Sequence, residues 1–284
     1  MPQSDFDVDI YWEYDSEMSA TALFEQDGSS RFMPTQAAVG PWDRRLVHGA
    51  PIAALLAGQL TPAENTLARL TVEILAPVPM EPLTLHRSEP TGGSRVQRQS
   101  ATLLASGKEV ATATSVIVRR GNLELPAKAL AHESPFDPSA VPAMDEPNRS
   151  AAAQVGWDSF DSSSLVLQRT LVEGDRRTHD WISMVVPVVE GTTLKGTEIA
   201  AVAADYASNA VVRQLPYDTW SFRNADLTIH FAREPVGSWI GLRSECVVDS
   251  VGTGFKTADL FDTDGRMGRT MGTLVVERHD TRSA

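Results

Sequence analysis

Residues 195–213 read KGTEIAAVAADYASNAVVR. From Ile199 to Val212 the stretch holds no Lys, Arg, Glu or His, and its one charge is Asp205. Small and apolar residues occupy every side of a helical projection. The stretch therefore predicts a helix buried all round rather than an amphipathic surface helix. A carboxylate in such a helix is costly unless it is paired, hydrogen-bonded or protonated. Asp205 either caps a helix that begins later or is kept for chemistry.

The helix has an echo. Residues 48–58, HGAPIAALLAG, match KGTEIAAVAAD at five of eleven positions (Gly49, Ile52, Ala53, Ala54 and Ala57), with Gly58 opposite Asp205. Strand-like runs follow each helix: LTVEILAPVP from Leu70 and LTIHFAREPV from Leu227, then LTLHRSEP from Leu83 and WIGLRSECVV from Trp239. Next, QSATLLASGKEVATATSVIV from Gln99 matches KTADLFDTDGRMGRTMGTLVV from Lys256. Leu70 to Ala101 and Leu227 to Ala258 are both separations of 31 residues, with about ten extra residues after the second helix. A period near 150 residues is too long for a solenoid and right for two copies of one small domain.

Working outward, residues 19–24 (SATALF) predict an opening strand, 28–40 a loop, and PWDRRLVHGAP leads into the first helix. Pro51 suits the first helical turn, where its missing N–H is no loss, and the amides of Gly49 and Ala50 would face outward at the positive end. Five prolines between Pro126 and Pro147 mark a linker, which also carries the sequon Asn148-Arg149-Ser150. The second half opens with strand-like runs at 163–171 and 180–189. Each half thus reads strand, helix, antiparallel strands, an α+β design in which a curled sheet wraps one apolar helix.

Composition narrows the function. Apolar residues make up 42% of the 284, enough for a sizeable core, and no run of eighteen could span a membrane. The N-terminus, MPQSDFDVDIYWEYD, lacks the basic start and apolar core of a signal peptide, and the lone Cys246 suits a reducing cytoplasm, packed as a structural thiol. A net charge of −12 argues against a nucleic-acid partner. No G-x-S-x-G elbow appears, and the six histidines never fall at metal-ligand spacing, so neither a serine hydrolase nor a metal site is expected.

The order of WDRRLVHGAP, RLTVEILAPVP, AADYASN, FRNADLTIHFAREPVGSWIGL and the GTGF…DTDGRMGR…LVVER ending resembles the double-hotdog acyl-CoA thioesterases, the bacterial thioesterase II type and its actinobacterial relatives. The resemblance covers about residues 19–278. It implies a double hotdog: an N-terminal unit at 1–120, a Pro-rich linker at 121–156 and a C-terminal unit at 157–284. It further implies hydrolysis of a fatty acyl-CoA in lipid metabolism, with no cofactor beyond the coenzyme A of the substrate, and allows a homo-oligomer.

In that family a helix Asp, a Thr or Asn at the start of the next strand and a Gln on the last strand hold the attacking water. The resemblance places Asp205 first and Asn224 second, with Thr228 as the alternative. The Gln falls on Gly272 or Thr273; Thr273 can still donate a hydrogen bond, whereas Gly272 has no side chain to do so. A positioned water, a base and an oxyanion site suffice for an activated thioester. Asp205 would be the base, strengthened by desolvation. Ser208 and Asn209, three and four residues on, would share its helix face and orient it. The Gly49 and Ala50 amides would receive the oxyanion, with His48 beside them as a substrate contact or simply a satisfied loop histidine. The missing Gln motivates the alternative of a non-catalytic acyl-CoA or lipid binder. A hotdog dehydratase is a weaker reading, since no D-x-N-P-x-H stretch occurs.

Overall fold

The computed structural model describes residues 21–126, 129, 156–170, 177–216 and 219–278. In the first half β1 (Phe24–Asp27) and β2 (Arg31–Pro34) precede helix α1 (Gly49–Leu60). Then come β3 (Thr66–Ile74), β4 (Leu83–Arg87), the two-residue β5 (Thr91–Gly92), β6 (Val96–Ala105) and β7 (Lys108–Val118). The second half begins with a single helical turn, α2 (Phe160–Ser163), and repeats the order. It runs through β8 (Leu165–Thr170), β9 (Thr178–Met184), α3 (Gly196–Tyr206), β10 (Trp220–Asn224), β11 (Asp226–Phe231), β12 (Ile240–Val248), β13 (Thr253–Asp262) and β14 (Gly265–Arg278). This is the α+β double hotdog that the family resemblance implied, with the two halves that the duplication predicted. The proposed opening strand is shifted, starting at Phe24, and the supposed loop at 28–40 contains β2 and a 3-10 turn, Gln36–Ala38. Most of the proposed linker, with its sequon, lies outside the described residues.

The strands form one continuous sheet in the order β1-β2-β4-β6-β7-β3-β11-β14-β13-β12-β9-β8, with β5 on β6 and β10 on β14. The halves join where β3 and β11 pair antiparallel, with Thr71 opposite Thr228. Those residues stand at equal places in the two repeats, and their hydroxyls are 3.0 Å apart, marking the approximate twofold. Every side chain from Ala50 to Ala57 in α1, and from Thr197 to Tyr206 in α3, is buried. Each helix is the other's principal neighbour inside the curved sheet.

Small residues let the two helices approach closely and run antiparallel. A Cβ on Gly58 of α1 would stand 2.1 Å from Glu198 Oε1, and one on Gly49 would stand 3.4 Å from Asp205 Oδ1. At the Gly58 end, Thr61 and Thr197 hydroxyls meet at 2.9 Å and Lys195 Nζ donates to Gly58 O at 3.1 Å. The N-terminus of α3 is closed by its own Glu198, whose carboxylate accepts from Lys195 N–H at 2.8 Å. Burial pushes the Glu198 pKa up.

The sequence pattern predicted one helix to Arg213, yet the α-helix stops at Tyr206 and continues as a 3-10 segment, Ala207–Arg213. Ser208 Oγ donates back to Asp205 O at 3.0 Å, the kind of local bond by which Ser competes with the α-helical ladder. The segment accounts for most of the extra residues of the second repeat. Its Ala210 and Val211 seat a second small core with Phe222, Cys246, Leu274 and Val276. Cys246 is buried there as expected, and burial pushes its pKa up to about 11.

Candidate active site

Antiparallel packing brings the C-terminal end of α3 to the N-terminal end of α1, so the Asp205 carboxylate, 9% exposed, lies beside Gly49. The positive end of a helix dipole favours an anion there. Asn224 holds it: Nδ2 donates to Asp205 Oδ1 at 2.6 Å and to Asp205 O at 3.2 Å. Asn224 points inward because Ala225 interrupts the strand between β10 and β11. Ala225 N–H donates to Thr273 O, and its carbonyl accepts from Ile74 N–H, both at 3.0 Å. Phe222 is buried before the break and Leu227 and Ile229 after it, so the inward face changes parity. The other amide atom, Asn224 Oδ1, is buried with no hydrogen-bond partner among the described residues. A buried unpaired acceptor is uncommon in a native core.

His48 caps α1. Its Nδ1 accepts from Ala50 N–H at 3.0 Å, so the ring's proton sits on Nε2 in the neutral tautomer. Nδ1 is also 3.7 Å from Asp205 Oδ2, but its lone pair is already committed. The ring stacks on Tyr206 (centroids 5.7 Å apart, planes 2° apart) and lies 5.3 Å from the Phe160 ring. Nε2 faces Asp161 Oδ2 at 3.8 Å, and Tyr206 O–H donates to the other oxygen of Asp161. The one-turn helix α2 thus delivers Asp161 and Phe160 as a wall beside the catalytic candidate. Nothing local in the sequence marked Asp161, because only the tertiary fold brings α2 to the end of α3.

Lys256 was also missed. It is fully buried on β13, directly across from Gly272 of β14 in the strand register. Its Nζ donates to Asp205 O at 3.0 Å. Burial pushes its pKa down to about 8, while Asp205, Cys246 and Asp226 pull it back up. The available signals were its inward phase in β13, shared with Ala258 and Leu260, and a glycine within β14, which in a strand often marks a close approach.

The N-terminal domain model of acyl-CoA thioesterases matches residues 38–118, and the C-terminal domain model matches residues 130–271. The chain belongs to the acyl-CoA thioesterase family. Its fold is similar to a hot-dog protein of unknown function from Alicyclobacillus acidocaldarius (TM-score 0.66, 17% identity, covering 91% of this chain and 97% of that one). It is similar too to a protein from Thermobifida fusca YX proposed as a thioesterase II (TM-score 0.68, 15% identity, 91% and 96% covered). An acyl-CoA thioesterase II from Mycobacterium marinum aligns with TM-score 0.58 at 12% identity over 92% and 97%. Identities this low establish the fold alone. No curated protein matches the chain.

Within this thioesterase fold the residues singled out from sequence divide into two groups. Asp205, Asn224, Gly49 and His48 converge. Thr273 does not, because the alternation of β14 turns its side chain to solvent, and only its backbone engages the site strand, its N–H donating to Asp226 Oδ1 at 2.9 Å and its carbonyl accepting from Ala225 N–H at 3.0 Å. Thr228 lies on the outer phase of β11 with its hydroxyl committed to Thr71, so Asn224 is the strand residue at the site. The Ala50 amide is already taken by His48, which leaves Gly49 N–H, with no partner among the described residues, as the helix-end donor. Ser208 bonds the Asp205 carbonyl rather than its carboxylate, and Asn209 lies half-buried in the 3-10 segment, so the expected shared α-helical face is absent. Among the described residues no helix is long and apolar enough to cross a membrane.

Proposed function

We propose that the protein hydrolyses fatty acyl-CoA thioesters, releasing a fatty acid and coenzyme A. One observation carries this reading: a nearly buried Asp205 carboxylate is gripped by Asn224 against the N-terminal end of the opposite helix, beside Gly49. Asp205 removes a proton from water as the water oxygen bonds to the thioester carbon. Asn224 Nδ2, donating to Asp205 Oδ1, fixes the carboxylate that takes the proton. Negative charge developing on the carbonyl oxygen is met by Gly49 N–H and the positive end of α1. Collapse of the intermediate breaks the C–S bond, and the proton on Asp205 returns to the leaving sulfur. A cytoplasmic role in lipid metabolism belongs to the same proposal.

Free-thiol release from acyl-CoAs of graded chain length tests it. Asp205→Asn keeps the shape, removes the base and is expected to lower kcat about 10²- to 10⁴-fold. Equal rates in both proteins would remove Asp205 from the mechanism. The second reading, an acyl-CoA binder without turnover, draws on Gly272 and the outward Thr273, which leave the last strand no side chain at the water. Tight binding with no thiol release would establish it instead.

A further inference from the structure

We infer that Lys256 is a positioning residue of this site: reaching in from β13, its ammonium pins the Asp205 carbonyl at the end of α3 and keeps a positive charge next to the catalytic candidate. The inference rests on the thioesterase reading of Asp205 and adds a residue that reading does not use.

Lysine is almost never fully buried unless something holds its charge. A core needing only packing would place Met or Leu here, since an enclosed ammonium carries a heavy desolvation cost. The backbone is arranged to admit this one. Gly272 stands directly opposite, and a Cβ there would lie 2.4 Å from the Asp226 carbonyl oxygen of β11 and 2.8 Å from Lys256 Cε. Glycine therefore leaves the space that the β11 carbonyl and the lysine stem share. Its Nζ reaches the carbonyl that also receives Asn224 Nδ2 and Ser208 Oγ. The lysine thus acts on the residue that carries the carboxylate and beside the amide that grips it. The titratable groups around it are Asp205 on α3, Cys246 on β12 and Asp226 on β11. A cation is also favoured at the negative end of a helix. The charge persists at neutral pH and is lost above about pH 8.

The test combines thiol release from the acyl-CoA panel between pH 6 and 10 with two independent readouts. Wild type, Lys256→Met and Lys256→Arg are compared for kcat, KM and melting temperature. The Lys256 side-chain resonance is titrated by NMR in wild type and in Asp205→Asn. Lys256→Met is expected to melt no lower than wild type yet lose about tenfold or more in kcat with KM little changed, a split that loss of packing alone would not give. Wild-type kcat should fall above about pH 8, a limb absent from Lys256→Met, while Lys256→Arg keeps kcat to higher pH. Asp205→Asn should lower the Lys256 titration midpoint. A Lys256→Met enzyme with wild-type kcat and pH profile overturns the inference, and so does a midpoint unmoved by Asp205→Asn. If wild type releases no thiol from any acyl-CoA, the thioesterase reading fails separately and the NMR titration alone decides whether Lys256 and Asp205 are coupled.

Discussion

Lys256 couples the site to pH in a direction that can be worked out. Its folded pKa of about 8 lies below the ordinary 10.5, so between those values the unfolded chain binds more protons and stability rises with pH. Below that window both states are protonated and the full cost of burying the ammonium, on the order of 3 kcal/mol, is present. Above it both are neutral and the cost is gone. Urea unfolding of wild type and Lys256→Met at pH 7.5 and 10 should show wild type gaining on the variant by about 2–3 kcal/mol. Parallel pH dependences would sink that expectation. Asn224 makes a different prediction. Asn224→Ala strips one donor from both the carboxylate and the carbonyl of Asp205, and should cost about 1–3 kcal/mol in stability by denaturant unfolding. It should also lower kcat about tenfold or more, since the proposed base loses its anchor. A variant of unchanged stability and rate would show the amide to be a bystander.

The two helices are related by the duplication, but their ends are not equivalent. At the end of α1, Gly49 is open beside Asp205. At the matching end of α3, Glu198 folds over its own N-terminus and Pro235 covers Gly196, where a Cβ would lie 2.8 Å from Pro235 Cβ. The residue opposite Asp205 in the repeat is Gly58, which has no carboxylate and instead makes room for Glu198. One end of the helix pair is therefore the candidate site and the other a structural bolt. Gly58→Ala tests the bolt. Alanine favours a helix over glycine by about 1 kcal/mol, so local propensity alone predicts a higher melting temperature. The new methyl would collide with the Glu198 carboxylate and disturb the Lys195 cap, so a lower one is expected, by a few degrees, with little change in kcat. A stabilised variant would show that Glu198 moves aside at no cost.

Across the whole molecule, the β3–β11 pair and the α1–α3 contact are shared property of the halves. Separating them would expose the apolar side of each helix and an unpaired strand edge in each sheet. The first 126 residues alone are therefore expected to aggregate or self-associate rather than give a well-folded monomer. Co-expression with residues 127–284 should restore a soluble complex. Size-exclusion chromatography and near-UV circular dichroism would check this, and a stable monomeric half would refute it. The continuous sheet also explains why the second repeat tolerates extra chain after its helix. The 3-10 segment packs on Phe222 and Leu274 at one end of the sheet and leaves the strand order intact.

The duplication, the two apolar helices and the strands between them were legible in the sequence, because burial all round a helix and alternation along a strand are local patterns with fixed periods. The lone charge at Asp205 also stood out on that ground, and the family resemblance supplied Asn224. Tertiary structure decided the remaining parts of the site. Whether position 272 or 273 faces inward depends on the phase of β14, where a shift of one residue reverses every side chain, and the inward one is Gly272. The pairing of Lys256 with the Asp205 carbonyl depends on the register between β13 and β14, and the meeting of Asp161, Tyr206 and His48 depends on where α2 docks. These contacts join residues far apart in the chain through the geometry of a shared sheet, which no local period records.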